Sequence, residues 1–314
     1  MGAVINIASG PGIPLEVLRI VTPLGIRFWD LTFNLPINDG LVVNLRRANS
    51  QGPILAAVQT LSGVYGFFGL PGLHAAEYPN GSLGPPRTFS YVVTVQDALS
   101  RYLPTVLVYT LDQTGAVLVN GVPDSTPGPR LAYLFSAPTR QATPGVAAVS
   151  AYLIDQGSNP PATSAPAAWA LLKIQVGTDP ETWTGIADES GRVLVLVPYP
   201  IVQRLQLGSP PGTGQGRITS ETWPLTVQVQ HSPDQLGYPL AGLPDLVWPW
   251  TVTPNLKDVL ESQGAATIWA DPASPVAQFQ ATLTLGQDLV LRSAALSPLS
   301  VSSSLNISRG TSPP

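Results

Sequence analysis

Leu41-Val-Val-Asn-Leu-Arg-Arg47 followed by Ser62-Gly63-Val-Tyr-Gly-Phe-Phe-Gly-Leu-Pro71-Gly72, and then Ala168-Trp-Ala-Leu-Leu-Lys-Ile-Gln-Val176 followed by Ser190-Gly191-Arg-Val-Leu-Val-Leu-Val-Pro-Tyr-Pro200, are two versions of one pattern. Each is a strand, a second strand ending in a Ser-Gly turn, and an alternating strand closed by proline. The two Ser-Gly pairs stand 128 positions apart. Glycine enters the left-handed backbone region without a Cβ penalty, so Gly63 and Gly191 are read as the positive-φ residues of equivalent hairpin turns. The repeat predicts an all-β chain with two related halves.

The rest of the chain carries the same signal. Runs of β-branched and aromatic residues predict strands over 15–21, 26–33, 41–47, 54–60, 64–68, 89–95 and 105–111. A second set covers 146–153, 168–176, 182–187, 192–197, 225–230, 266–269, 276–285 and 288–291. Turn clusters separate them, among them Asn38-Asp39-Gly40, Asp112-Gln113-Thr114-Gly115 and Asp188-Glu189-Ser190-Gly191. Short strands at this spacing are the mark of sandwiches rather than of a parallel α/β sheet. One helix is written, over 254–263: Thr253 as N-cap, Pro254 at the first helical position and Gly264 as the C′ stop. The organisation expected is an N-terminal arm (1–14), a first β-sandwich (15–125) and a linker (126–145). A second β-sandwich (146–296) carrying the helix and a Ser/Pro-rich tail (297–314) follow.

Composition narrows the function. Of 314 residues 44% are apolar but only 11% charged, against about 25% in an average domain. Pro (34) and Gly (29) together stay below the level of a disordered chain. The absence of cysteine excludes disulfides, thiolate-bound metals and a Cys nucleophile. With His74 and His231 the only histidines, a His-rich metal site is excluded too. A net charge of −4 leaves no electrostatic footprint for nucleic acid. Nothing at the N-terminus reads as a secretory signal, and the longest apolar stretch, 193–202, is too short to span a bilayer. The expectation is cytoplasmic synthesis in a bacterium, with the mature particle cytoplasmic or released. Among 15 basic residues only Lys173 and Lys257 are lysines, and there are 7 Trp. Arg and Trp are enriched, and Lys depleted, where proteins bury surface against partners. Trp29, Trp248, Trp250, Arg101 and Arg140 are the candidate interface anchors.

Thr60-Leu-Ser-Gly63-Val-Tyr65-Gly-Phe67 and Ala187-Asp188-Glu-Ser-Gly191-Arg-Val193 resemble the hairpin of carboxypeptidase-regulatory-like, or transthyretin-like, β-sandwich modules. That resemblance implies two transthyretin-like/Ig-like sandwiches of non-catalytic type. A longer arrangement runs from Phe67-Phe-Gly-Leu-Pro-Gly72 through 89–97, Arg101-Tyr-Leu-Pro104 and Leu134-Phe-Ser-Ala-Pro-Thr-Arg140 to Leu289-Val-Leu-Arg-Ser293. It resembles a protein family of phage-tail-like contractile injection systems. The resemblance implies a structural subunit of the baseplate or outer tail, present in several copies beside other subunits.

No catalytic, cofactor or metal residue is assigned. Gly212-Thr-Gly-Gln-Gly216 follows Pro210-Pro211 and lacks the strand and helix that a nucleotide-binding glycine run needs, so it reads as a loop. His74 and His231 read as surface or loop histidines. The pairs Asp179/Glu181 and Asp188/Glu189 lie in turns, where Asp serves the backbone, rather than as an acid/base pair. Trp248-Pro249-Trp250 fits a core plug or an interface anchor, and also a sugar-stacking platform. The function expected is therefore a non-enzymatic structural subunit of a multi-protein particle, the alternative being a carbohydrate- or surface-binding adhesion module.

Overall fold

The computed structural model describes residues 2–5, 18–73, 87–124, 126, 128–157, 164–200, 221–243, 248–271, 274–293 and 303–309. The chain is all-β. Strands of the first half are β1 (Gly2–Ile5), β2 (Leu18–Val21), β3 (Leu24–Asp30), β4 (Leu35–Pro36), β5 (Leu41–Arg47), β6 (Leu55–Ala56), β7 (Val58–Gln59), β8 (Val64–Phe67), β9 (Thr88–Asp97), β10 (Thr105–Asp112), β11 (Val117–Val119), β12 (Val122–Pro123) and β13 (Arg130–Leu134). Then come β14 (Val146–Asp155), β15 (Ala165–Pro166), β16 (Leu171–Val176), β17 (Thr182–Ile186), β18 (Arg192–Pro198), β19 (Thr222–Gln230), helix α1 (Leu256–Glu261), β20 (Thr267–Asp271), β21 (Ser274–Val276), β22 (Phe279–Thr284), β23 (Leu289–Leu291) and β24 (Leu305–Ser308). The chain forms two compact units: unit 1 is 1–99, 104–134 and 237–257, and unit 2 is 100–103, 135–236 and 258–314.

Unit 1 has a sheet in the order β12-β11-β10-β9-β5-β6 and a smaller one, β13-β3-β8-β7, with β4 on β3. Strand alternation explains its core. In β3, Leu24, Ile26 and Phe28 point inward while Arg27 and Trp29 point out. On β8, beside β3, Tyr65 meets Phe28 edge to face at 5.3 Å, and the Tyr91 hydroxyl on β9 donates to the Pro71 carbonyl at 2.8 Å. β9 is buried on both faces because Leu240, Leu243 and Trp250, from the late segment 237–257, cover Val92 and Val106 from outside.

Unit 2 repeats this plan. β14 pairs antiparallel with β18 and parallel with β23, as β3 does with β8 and β13. β16-β19-β22 are joined antiparallel, as β5-β9-β10 are. Both sheets feed one core that includes Val149, Leu153, Ile174, Val195, Val227, Ile268 and Ile307. The quoted repeat is thus a repeat of topology. Gly63 and Gly191 have φ of +75° and +80°, and in both turns the glycine N–H donates 3.0 Å to the carbonyl three residues back, of Thr60 and Asp188. Asp112–Gly115 makes a third copy of this turn, with Gly115 at +82°. This is the hairpin in which a type I turn is followed by a left-handed residue.

Several expectations change. The stretch read as linker, 126–145, contains β13, which lies parallel to β3 at the edge of unit 1's smaller sheet. The arm 1–14 contains β1, paired antiparallel with β2. Within the tail 297–314, β24 sits inside unit 2's sheet between β14 and β20. The units are not contiguous stretches, since 100–103 belongs to unit 2 and 237–257 to unit 1. The helix is shorter than 254–263 at both ends. Thr253 does not cap it but donates to the Pro249 carbonyl at 2.8 Å, and the Asn255 N–H is drawn to the Gly237 carbonyl at 2.9 Å. Gly264 is not left-handed. Gln263 closes the helix instead, its Nε2 donating to the carbonyls of Val259 (3.1 Å) and Trp169 (2.7 Å). The strand expected from residue 168 begins at Leu171, because Trp169 itself takes a left-handed conformation, φ +62°. His74, the glycine run 212–216 and tail residues 297–302 and 310–314 lie outside the described residues.

Candidate interaction surface

Trp29 is half-buried on the outer face of unit 1's smaller sheet, directly paired across the strands with Tyr133, while Arg27 is paired with Leu131. Leu131 and Tyr133 are 57% and 40% exposed, because β13 is an edge strand whose alternate residues face out. Around Trp29 stands a patch of Arg, Trp, Leu and Tyr, the residue types that dominate buried interface centres. The Trp29 indole Nε1 is buried and makes no hydrogen bond.

Beside this patch unit 1 opens into a cleft of about 650 Å³, lined among others by Leu24, Val64, Phe68, Val117 and Pro129. Its polar rim is engaged internally. Thr22 Oγ1 donates to the Leu24 and Phe67 carbonyls, Thr60 Oγ1 accepts from the Val64 N–H at 3.1 Å, and Arg130 pairs with Asp124. The Thr126 hydroxyl and N–H, both donating to Asp124, lead the causes that hold its carboxyl below the usual range; Arg130 adds to them. Such a cleft favours apolar groups.

The two tryptophans of Trp248-Pro249-Trp250 have separate environments. Trp250 packs against the Val92–Val106–Leu240 cluster and serves unit 1's own core, whereas Trp248 is 65% exposed. Arg101 and Arg140 lie in unit 2 and are turned to a neighbour within it. Their guanidinium carbons stand 5.4 Å and 4.8 Å from the centre of the buried Tyr102 ring, and Arg140 Nη1 donates to Ser136 Oγ at 3.1 Å. The backbone supports this clamp, with the Leu103 N–H on the Phe135 carbonyl and the Ala137 N–H on that of Arg101.

Carboxylates singled out for chemistry serve turns. Asp188 Oδ1 accepts from the Ser190 N–H, the Ser190 hydroxyl and the Arg192 N–H, and Asp179 Oδ1 accepts from the Glu181 N–H at 3.0 Å. Among the described residues no cluster of three His, Asp or Glu is placed to hold a metal ion. His231 is not a surface histidine. It is 3% exposed, with Nε2 at 3.5 Å from Asp155 Oδ2, and Arg309 bridges Asp155 (3.2 Å) to Asp234 (2.7 Å). Burial pushes the Asp155 carboxyl up, but contact with His231, the Gly157 N–H and the charge of Arg309 outweigh it and hold the carboxyl below its usual range. Sequence reasoning missed this cluster because its members come from β14, the end of β19 and the residue after β24.

No protein-family model matches the chain, and no curated protein matches it. Among solved structures, it aligns with the pilus adhesin SpaC of Lactobacillus rhamnosus GG in its open conformation (12% identity, TM-score 0.21), covering 91% of this chain and 31% of that one. A Bacteroides ovatus ATCC 8483 protein described as a candidate adhesin aligns at 10% identity and TM-score 0.20, covering 92% of this chain and 94% of that one. The chain thus spans under a third of the SpaC structure's length. Likenesses at this level carry no argument. Among the described residues no helix is long and apolar enough to cross a membrane.

Proposed function

We propose that the protein is a non-enzymatic assembly subunit in which unit 1 is the partner-facing unit. One observation carries this reading: among the described residues sixteen large hydrophobics are exposed, of which fourteen lie in unit 1 and only Leu260 and Val290 in unit 2. Scattered exposed apolar residues are ordinary, but their confinement to one unit beside an apolar cleft is the pattern of a surface that a partner covers. The partner is another protein, docking on the face made by Arg27, Trp29, Leu131 and Tyr133. The engagement of Asp112, Asp179 and Asp188 in turns supports a role without catalysis. The sequence resemblance makes a contractile injection particle the first assembly in which to seek that partner.

The test is gentle purification from the native cells. The wild-type chain is expected in a particle far heavier than 33.0 kDa, with partner proteins that the Leu131→Asp/Tyr133→Asp variant loses while remaining folded. A clean wild-type monomer would overturn the reading. A second reading, surface adhesion, rests on the exposed Trp248 indole. Glycan binding by the isolated chain that disappears in Trp248→Ala would favour it.

A further inference from the structure

β23 and β24 are two pieces of one edge. Leu291 is paired with Ala151 and Leu305 with Leu153, both strands running parallel to β14. Leu291 and Leu305 therefore stand on the same edge of β14, two register positions apart. Had the chain run straight on, Ser293, Ala294 and Ala295 would stand opposite Leu153, Ile154 and Asp155. Leu305, Asn306 and Ile307 stand there instead. Leu305 and Ile307 have no exposed surface, and they fill core volume that Ser and Ala would leave empty.

On its other side β24 pairs antiparallel with β20, so among the described residues the sheet runs from β14 to β20 through it. Polar side chains fasten β24 and the residue after it to their neighbours. Trp269 Nε1 donates to the buried Ser308 Oγ at 2.9 Å, Gln156 Nε2 to Asn306 Oδ1 at 3.0 Å, and Arg309 reaches Asp155 and Asp234. Without β24 two backbone edges and an apolar slot lie open, which is the arrangement that strand addition completes.

We propose that this slot also takes β24 from a second copy of the chain, so that copies join by exchanging the strand. The exchanged strand makes in its new host the contacts it gave up in its own, so the exchange costs little and rises with concentration. The proposal stands apart from the docking role of unit 1, since it uses none of those residues.

The chain has no cysteine, so single cysteines report position cleanly. Ile154 and Asn306 are ladder partners on neighbouring strands, and the roughly 4.8 Å between strands lies inside the Cα separation a disulfide accepts. Ile154→Cys and Asn306→Cys proteins are mixed at high concentration, cycled through mild denaturant, oxidised and run without reductant. The expected result is a covalent heterodimer well above that of a control mixture with Gln51→Cys in place of Ile154→Cys. Arg309→Ala removes the same lock from the closed and the exchanged strand, so it should let the heterodimer form several-fold faster when the denaturant step is omitted and leave the final yield unchanged. In the cysteine-free wild-type chain, carried through the same denaturant cycle, native mass should shift toward dimer as concentration rises. No heterodimer above the control, while the Ile154→Cys/Asn306→Cys double variant closes within one chain, would overturn the proposal. So would a wild-type chain that stays monomeric at every concentration after the same cycle.

Discussion

Gly191 is bonded to the N–H of Leu153 and stands close against its carbonyl, which accepts from the Ala167 N–H at 2.9 Å. The Leu153 N–H donates to the Gly191 carbonyl at 2.8 Å, and a Cβ on Gly191 would lie 2.5 Å from the Leu153 carbonyl oxygen. Its counterpart Gly63 has the same backbone conformation but faces the side-chain amide of Asn38. Alanine at either site carries the left-handed penalty of about 1–2 kcal/mol. Asn38 can swing aside, whereas a carbonyl inside β14 cannot. Denaturant titration is expected to show a larger loss for Gly191→Ala than for Gly63→Ala, by about 1 kcal/mol or more. Equal losses would mean that β14 gives way.

Acid should loosen unit 2 around β24. Asp155 is held below its ordinary range in the folded state, so its contribution is whole above the unfolded value of about 3.9 and is lost as pH falls through the folded one. The groups facing it are His231, Arg309 and, through Arg309, Asp234. The denaturation midpoint should fall on acidification below pH 4, and Asp155→Asn, already lacking this contribution, should fall less. A parallel decline of the two proteins would assign the acid sensitivity elsewhere.

The two indoles of Trp248 and Trp250 should separate stability from recognition. Trp250→Ala removes a side chain packed on Val92, Val106 and Leu240, and should cost about 3 kcal/mol, the low end for large aromatic deletions. Trp248→Ala should stay within about 0.5 kcal/mol of wild type, as exposed substitutions do. Thermal melts of both variants decide this.

Tyr109 should titrate late. Burial pushes its phenol up to about 12, against an opposing pull from the Arg130 charge. The folded chain prefers the neutral phenol, so that contribution is complete below the free value of about 10 and fades as pH rises toward 12. Tyrosinate absorbance should still be rising near pH 12, and Tyr109→Phe should take about one group's share from that late rise.

Much of the strand content was legible because alternation is local. Ile26–Phe28 and the Val193-Leu-Val-Leu-Val197 run announce buried faces within a few residues, and the hairpins announce themselves through Gly63 and Gly191. The third turn was there to be found in Asp112-Gln-Thr-Gly115, which has the spacing of Asp188-Glu-Ser-Gly191. The interface candidates were legible only as residue types. Arg, Trp and scarce Lys mark a chain that buries polar-aromatic contacts, yet the same chemistry serves the Tyr102 clamp inside unit 2 and the outward patch around Trp29.

By itself the sequence determined that the chain is all-β, that its halves share one hairpin plan, and where their tight turns fall. Those features depend on backbone sterics and side-chain parity over a few residues. Tertiary structure alone decided that 237–257 returns to cover unit 1, that β13 and β24 are sheet strands rather than linker and tail, and that His231 is buried against Asp155. Each of these is a contact between distant parts of the chain. A short run such as Leu305-Asn-Ile-Ser308 has no period to betray it and becomes a strand only because β14 and β20 leave a slot its leucine and isoleucine fill.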